Sequence, residues 1–215
     1  EFTHVSIQDE SPVQSPTSAA MLRNVYHKPV ICDEVGYEGN LKNRWGCYSP
    51  ERMLYLVLNG VMGGVYVTHG ECFTYSDADT IFLAKGGNFK GTSWKRIAFL
   101  RSIVEACPNP LQLADGGRDN YTATAGKGYY LVSFGKEIND AWQFDLPTKN
   151  ANYKKLNPGT RFKVEIIDMW DMTITQCPLT FEVVKENDYR MCDKEFKKVN
   201  LPLKPYLVLR ITEVK

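Results

Sequence analysis

The sequence predicts an α/β segment followed by an all-β segment. Three observations carry this. Strand-like and helix-like signals alternate from Thr3 to Cys107, a Pro-, Gly- and Asp-rich stretch interrupts them at Pro108 to Asp119, and everything beyond reads as strands. The implied domains are 1–110 for the α/β part, 111–120 for a linker and 121–215 for a small antiparallel β-sandwich.

Thr3 to Gln8 (THVSIQ) alternates at period two, as a strand does. Ser15 to His27 opens with a Ser-Pro cap and continues in helix formers. Pro29 to Cys32 is a short apolar run of the kind found in strands buried on both faces. Ser49 to Gly64 has Ser49 as N-cap, Pro50 at the first helical position and Glu51 in the first turn, and Gly63-Gly64 stops it. Val65 to Phe73 is a β-branched and aromatic run, and Thr92 to Cys107 is an amphipathic helix. The order is βαβαβα, which implies right-handed crossovers and a parallel sheet. Past the linker, strands are expected at Gly128 to Gly135, Ala141 to Pro147, Arg161 to Trp170, Met172 to Cys177, Leu179 to Val184 and Pro205 to Val214. Asn-Pro-Gly, Asn-Asp and Lys-Pro turns separate them, in the manner of a sandwich.

The richest stretch is Lys28 to Asn40 (KPVICDEVGYEGN), where the apolar run ends abruptly in Asp33 and Glu34 and is followed by Tyr37, Glu38, Asn40, Arg44 and Trp45. Charges at the C-terminal end of a buried parallel strand are what a (β/α)8 barrel places at its catalytic face. The alternative is a strand followed by a solvated polar loop. Three βα units make only part of an eight-strand barrel, and an open partial barrel exposes strand edges. The expectation is therefore that the chain holds the last three βα units of a (β/α)8 barrel, and that a second polypeptide or a second copy completes it. The absence of an initiator Met fits a piece of a longer protein.

Bulk properties narrow the partners. With 26 basic and 25 acidic side chains the net charge is +1, so no nucleic acid or anionic membrane surface is implied. No run approaches the ~20 apolar residues of a membrane span, and residues 1–20 have no signal-peptide pattern. The six cysteines are widely spaced, without a CxxC pair or zinc spacing, and read as mostly reduced. His4, His27 and His69 are far apart in sequence, so no metal and no cofactor is expected, and the compartment stays open. Loop acids such as Asp77 and Asp79 offer oxygen ligands for a structural Ca2+, the alternative to a chain without metal.

Taken in order, THVSIQ, KPVICDEVGYEGN, NGVMGGVYVTHGECF and GTSWKRIAFLRSIVE, with the tail segments GYYLVSFG, FKVEIIDMW and KPYLVLRITE, resemble the last third of a family of (β/α)8 glycoside hydrolases. That family is similar to the apiosidase-like enzymes and carries a small C-terminal β-sandwich. The resemblance spans essentially the whole chain. It implies that Thr3 to Gln8, Pro29 to Glu34 and Val65 to Glu71 are the sixth, seventh and eighth barrel strands, and that Glu34 is the nucleophile of a retaining glycosidase. The acid/base partner then lies on a strand outside this chain, so the chain alone is expected to be inactive. Asp33 is the rival, but strand neighbours point to opposite faces, and only the resemblance selects Glu34.

Supporting roles follow. His69 and Glu71 alternate on one strand, share a face, and either hydrogen-bond sugar or hold Glu34 ionised; otherwise they are a packed imidazole and a surface acid. Gln8, which shares a face with His4 and Ser6, lies nearest the mouth of the site. Tyr37 and Trp45 are candidates to stack on a sugar face, whereas Trp94, Trp142 and Trp170 read as packing residues. The expected partner is a carbohydrate substrate. Two other readings stand beside this one: a non-catalytic carbohydrate-binding or interaction module, and a small open α/β domain with an unrelated site.

Overall fold

The computed structural model describes residues 2–76, 79–81, 88–115, 120–126, 128–148 and 155–214. The chain divides into two units, Glu1–Val104 and Glu105–Lys215.

In the first unit, β1 (Val5–Ile7), β2 (Val30–Cys32) and β4 (Tyr66–Val67) form a parallel sheet in the order β1-β2-β4. The register pairs Val5 with Val30 and Ile7 with Cys32, and Cys32 in turn with Val67. Helix α1 (Pro16–Tyr26) starts where its cap says it should, with the Ser15 hydroxyl accepting from Ser18 N at 3.1 Å, and ends at His27 in the left-handed region. Helix α2 (Pro50–Met62) is capped by Ser49, which accepts from Arg52 N at 3.2 Å, and buries Met53, Leu54, Leu56, Val57, Leu58 and Met62. Helix α3 spans Ser93–Glu105.

Three βα units of a (β/α)8 barrel are not what forms. Among the described residues the parallel ladder stops at three strands of two or three residues each, and the structure is mainly β, with α-helices of 11, 13 and 13 residues. The cause is local. Past Glu34 and past Thr68 the chain does not turn straight into a helix but lays down further short strands. These are β3 (Tyr37–Glu38) and β5 (Gly70–Glu71), paired parallel, and the antiparallel set β6 (Phe73–Ser76), β7 (Asp79–Ile81) and β8 (Asn88–Phe89). The run Val65 to Phe73, expected as one strand, is thus divided among three, with breaks at Thr68-His69 and at Cys72; at Gly70, which opens β5, the backbone approaches its neighbour too closely for any side chain.

The second unit is dominated by one eight-stranded sheet, not by two packed sheets. Its strands are β9 (Gln112–Asp115), β10 (Tyr121–Gly126), β11 (Tyr129–Ser133), β13 (Asp145–Pro147), β14 (Arg161–Asp168), β15 (Thr173–Lys185), β16 (Arg190–Asp193) and β18 (Leu207–Glu213). They lie in the order β13-β16-β15-β14-β18-β11-β10-β9, while β12 (Ala141–Gln143) and β17 (Lys198–Asn200) pair separately. What joins the would-be halves is β15, which pairs with β14 along most of its length and with β16 at its C-terminal end. The runs Met172 to Cys177 and Leu179 to Val184 are therefore one strand. The register jumps between Lys163 opposite Thr180 and Glu165 opposite Gln176, so the Pro178 between them sits in a bulge, where its missing N–H costs no ladder bond. The stretch expected as a linker contributes β9, an edge strand on β10; residues 116–119 lie outside the described residues.

The core of this unit is aromatic. Phe144 stacks on Phe181 with centroids 4.4 Å apart, Phe162 lies beside them, and Trp142 joins the same cluster. Trp170 instead stacks on Tyr206 at the margin.

Candidate functional site

The parallel strands end level with one another. Asp33 N donates to Ile7 O at 3.1 Å and Thr68 N to Cys32 O at 3.0 Å, so Gln8, the pair Asp33-Glu34 and the pair Thr68-His69 emerge at one edge. The two neighbouring acids then part company. Asp33 Oδ2 accepts from the Ser6 hydroxyl at 2.6 Å, and its carbonyl accepts from the Thr68 hydroxyl at 2.7 Å, so it ties the three strand ends together. Glu34 is hydrogen-bonded to Tyr37: burial pushes that phenol above its ordinary range, and the Glu34 charge and hydrogen bond push it further.

Tyr37 meets Trp45 edge-on, centroids 5.7 Å apart at 72°, and Trp45 is 39% exposed. Trp45 rides on the turn Arg44–Gly46, anchored by Glu10, whose Oε1 accepts from Arg44 at 2.6 Å and whose Oε2 accepts from Arg52 at 2.9 Å and from Tyr48. Burial and the Glu10 carboxylate push the Tyr48 hydroxyl up to about 12. The Tyr48 ring packs against Gly36, where φ is 125° and a Cβ would overlap the ring. The backbone between Glu34 and Tyr37 is therefore held from both sides, since Gly70 in turn leaves no room for a Cβ against Gly36 O.

Beneath this layer sits a second group. Pairing of β3 with β5 sets Glu38 beside Glu71, and His69 stands between their carboxylates, its Nε2 3.5 Å from Glu38 Oε2 and 3.4 Å from Glu71 Oε2. Glu38 is 1% exposed and caps α3 from outside, accepting from Thr92 N at 2.8 Å (Oε1), from Ser93 N at 3.0 Å (Oε2) and from the Ser93 hydroxyl. Burial raises its carboxyl, but the hydrogen bonds from His69, Ser93 and Thr92 outweigh burial and hold it below the usual range. Glu71 goes the other way. It is 8% exposed, its Oε1 accepts from Gly91 N at 2.7 Å, its Oε2 makes no hydrogen bond and has His69 Nε2 at 3.4 Å, and burial leaves its carboxyl above the usual range. Gly91 is required here because a Cβ would overlap the Glu38 carboxyl.

Of the residues singled out in the sequence, Glu34, Tyr37 and Trp45 come together, and Gln8 emerges exposed at the same edge. His69 and Glu71 come together as well, but with Glu38 and Ser93, and Glu71 is buried. Glu38 and Ser93 were not singled out. The signal for Ser93 was its place at the head of a helix with no acid in the first turn, and that for Glu38 its alternation with Tyr37. Asp77 and the side chain of Asp79, the acids weighed for Ca2+, lie outside the described residues.

Residues 119–212 match a family described as a domain of unknown function, DUF5605. No curated protein matches the chain. Among solved structures it is similar to a candidate glycoside hydrolase from Bacteroides vulgatus, 58% identical with a TM-score of 0.93, over 99% of this chain and 42% of that one. Weaker likenesses, too slight to bear on function, are to a glycoside hydrolase family 44 endoglucanase from Clostridium acetobutylium and a 4-O-alpha-L-rhamnosyl-beta-D-glucuronidase from Fusarium oxysporum. The former is 12% identical with TM-score 0.42 over 93% of this chain and 35% of that one; the latter is 10% identical with TM-score 0.44 over 99% and 52%. The chain thus spans less than half the length of the Bacteroides protein.

Proposed function

We propose that this chain is part of a glycoside hydrolase that cleaves O-glycosidic bonds of a glycan by the retaining route, with Glu34 as nucleophile. The observation that carries the hydrolase reading is the 58% identity, across 99% of the chain, to the Bacteroides candidate hydrolase. Support for Glu34 comes from its place at the end of the middle parallel strand, bonded to Tyr37 and beside a half-exposed indole, while Asp33 is taken up by Ser6. In this reading a Glu34 oxygen attacks the anomeric carbon as the glycosidic C–O bond breaks. The leaving oxygen takes a proton from a second carboxyl of the whole protein, ~5 to 5.5 Å from the first, and water then hydrolyses the glycosyl ester with that carboxyl as base. Trp45 and Tyr37 stack on the sugar, and Gln8 hydrogen-bonds it from the neighbouring strand end.

The test is turnover of aryl glycosides by the whole protein and by its Glu34→Gly variant. The expected loss is about 10³-fold or more, with azide restoring turnover and leaving a glycosyl azide of inverted configuration. Unchanged turnover in the variant sinks the nucleophile assignment, and wild-type protein inert toward every aryl glycoside and glycan offered sinks the hydrolase reading itself. The exposed Trp45 face also suits a module that binds sugar without chemistry. That reading predicts binding lost in Trp45→Ala and untouched in Glu34→Gln, with no turnover in either parent or variant.

A further inference from the structure

Among the described residues Glu71 is built unlike the other buried acids Asp168 and Asp193; Asp168 has both oxygens occupied, Oδ1 by Trp170 N and Asp171 N and Oδ2 by Lys204 Nζ. Asp193, 0% exposed, has both oxygens occupied: Oδ1 accepts from Glu182 N at 2.9 Å, and Oδ2 from Glu195 N at 3.0 Å and Lys197 N at 3.1 Å. Glu71 has one oxygen hydrogen-bonded, to Gly91 N, and the other only facing His69 Nε2 at 3.4 Å. Its Oε2 is buried and makes no hydrogen bond. A buried carboxyl oxygen without a hydrogen bond is costly, and a further ligand at that oxygen removes the cost.

That oxygen faces two other ligand-type atoms. Glu38 Oε2, His69 Nε2 and Glu71 Oε2 all lie within 4.8 Å of one another, with His69 Nε2 at 3.5 and 3.4 Å from the two oxygens. Tetrahedral zinc, with bonds of ~2.0 to 2.1 Å, sets neighbouring donors ~3.3 Å apart. The outer carboxylate oxygens are already oriented by backbone amides, Glu38 Oε1 by Thr92 N and Glu71 Oε1 by Gly91 N, which is how a second layer of hydrogen bonds fixes metal ligands. The Ser93 hydroxyl, 3.2 Å from His69 Nε2 and bonded to Glu38 Oε2, stands beside the three donors. Two carboxylates and one imidazole make a mixed oxygen and nitrogen set, which suits first-row divalent cations over Ca2+ or Mg2+.

We propose that Glu38, His69 and Glu71 form a divalent-metal site, with Zn2+ the ion the geometry fits best. The site brings together three segments that are not contiguous: the strand after the Glu34 turn, the strand end at His69 and the loop leading into α3. An ion there clamps β3 to β5 and to the head of α3. The proposal does not rest on the glycosidase reading.

The test is calorimetric titration of the chelator-treated, dialysed full chain with ZnCl2, alongside the thermal midpoint with and without the ion. One equivalent should bind and raise the midpoint, and Glu71→Gln and His69→Ala should each weaken binding by ~10-fold or more. Binding undiminished in both variants, as from a surface site at the exposed Cys47, overturns the proposal, as does no heat and no shift up to millimolar zinc. Because a variant may lose its fold for other reasons, anomalous scattering at the zinc edge from wild-type crystals gives a second reading. A peak among the three side chains supports the site, and zinc found only elsewhere sinks it.

Discussion

The two units hold their β structure by different means. In the first, strands of two to four residues are kept in place by side chains that reach backbone: Asp33 ties three strand ends, Glu38 and Glu71 hold the loop before α3, and Asn59 donates to the carbonyls of Val13 and Gln14 at 3.3 and 3.0 Å. In the second, β15 alone runs 13 residues, and an aromatic cluster lies against it. Short strands contribute few ladder bonds, so their position has to come from polar braces, whereas long strands with a buried face position themselves. The candidate site sits with the braces. A carboxylate placed by hydrogen bonds is oriented to a fraction of an ångström, and one placed by burial alone is simply protonated.

The contrast breaks most visibly in the core of the second unit. Phe181→Ala removes a fully buried ring stacked on Phe144 and should cost about 3 to 5 kcal/mol. Denaturant unfolding followed by fluorescence measures it, and a cost under about 1 kcal/mol would mean that burial is not what holds this sheet. Next is Gly70→Ala, whose Cβ would meet Gly36 O and lie 3.0 Å from Tyr37 Cδ1. Backbone cannot step aside, so the expected loss is about 1 to 3 kcal/mol, with a changed Trp45 emission as the turn carrying Glu34 shifts. At Gly159, where φ is 83° but nothing lies within 4 Å, alanine should cost only about 1 kcal/mol of backbone strain. Equal losses at the two glycines would remove the distinction between a crowded and an open one.

Removing the brace at α3 comes third. Glu38→Gln leaves a donor where three donors converge, and should cost about 1 to 3 kcal/mol, with faster hydrogen exchange at the Thr92 and Ser93 amides. Unchanged exchange there would mean that the helix start is held by something else.

The smallest effect concerns Glu10. Burial pushes its carboxyl up from the ordinary value of 4.5, but hydrogen bonds from Tyr48, Arg52 and Arg44 overcome burial and leave it lowered. A lowered folded-state pKa means that the stability it adds is complete above its ordinary value and is lost as pH falls through the folded one. Wild type should therefore exceed Glu10→Gln by under about 1 kcal/mol at pH 7, and the gap should close on acidification below pH ~4. A gap that stays constant with pH would assign the effect to packing alone.

Some of this was legible in the chain. Ser15 and Ser49, each followed by Pro, mark where α1 and α2 begin, because a cap is a contact between residues three apart. The apolar run ending in Asp33 and Glu34 marks a strand end, and Tyr37 and Trp45, within eleven residues of Glu34, do reach its neighbourhood. The barrel was not there to be read. Three alternations of strand and helix signal say nothing about how many further strands the sheet recruits, and Gly36, Gly39 and Gly70 let the chain form extra short strands between the expected strands and the helices that follow them. The merger of two expected strands into β15 failed for a related reason, since Pro178 reads as a break unless a partner strand absorbs it as a bulge.

The sequence by itself determined the local events: helix starts, the acid pair closing a buried strand, the alternation of the second unit, and a net charge of +1 that points to no polyanion. Only the tertiary structure decided which acid does what. Asp33 and Glu34 are adjacent and alike, and what separates them is Ser6, 27 residues before Asp33, and Tyr37 just after. Glu38 and Glu71 likewise differ through the donors they meet, Gly91 N for Glu71 and His69, the Ser93 hydroxyl and the Thr92 and Ser93 amides for Glu38. A carboxylate's state is set by the donors and dipoles within a few ångströms of it, and those are brought near by chain pairings that no local pattern encodes.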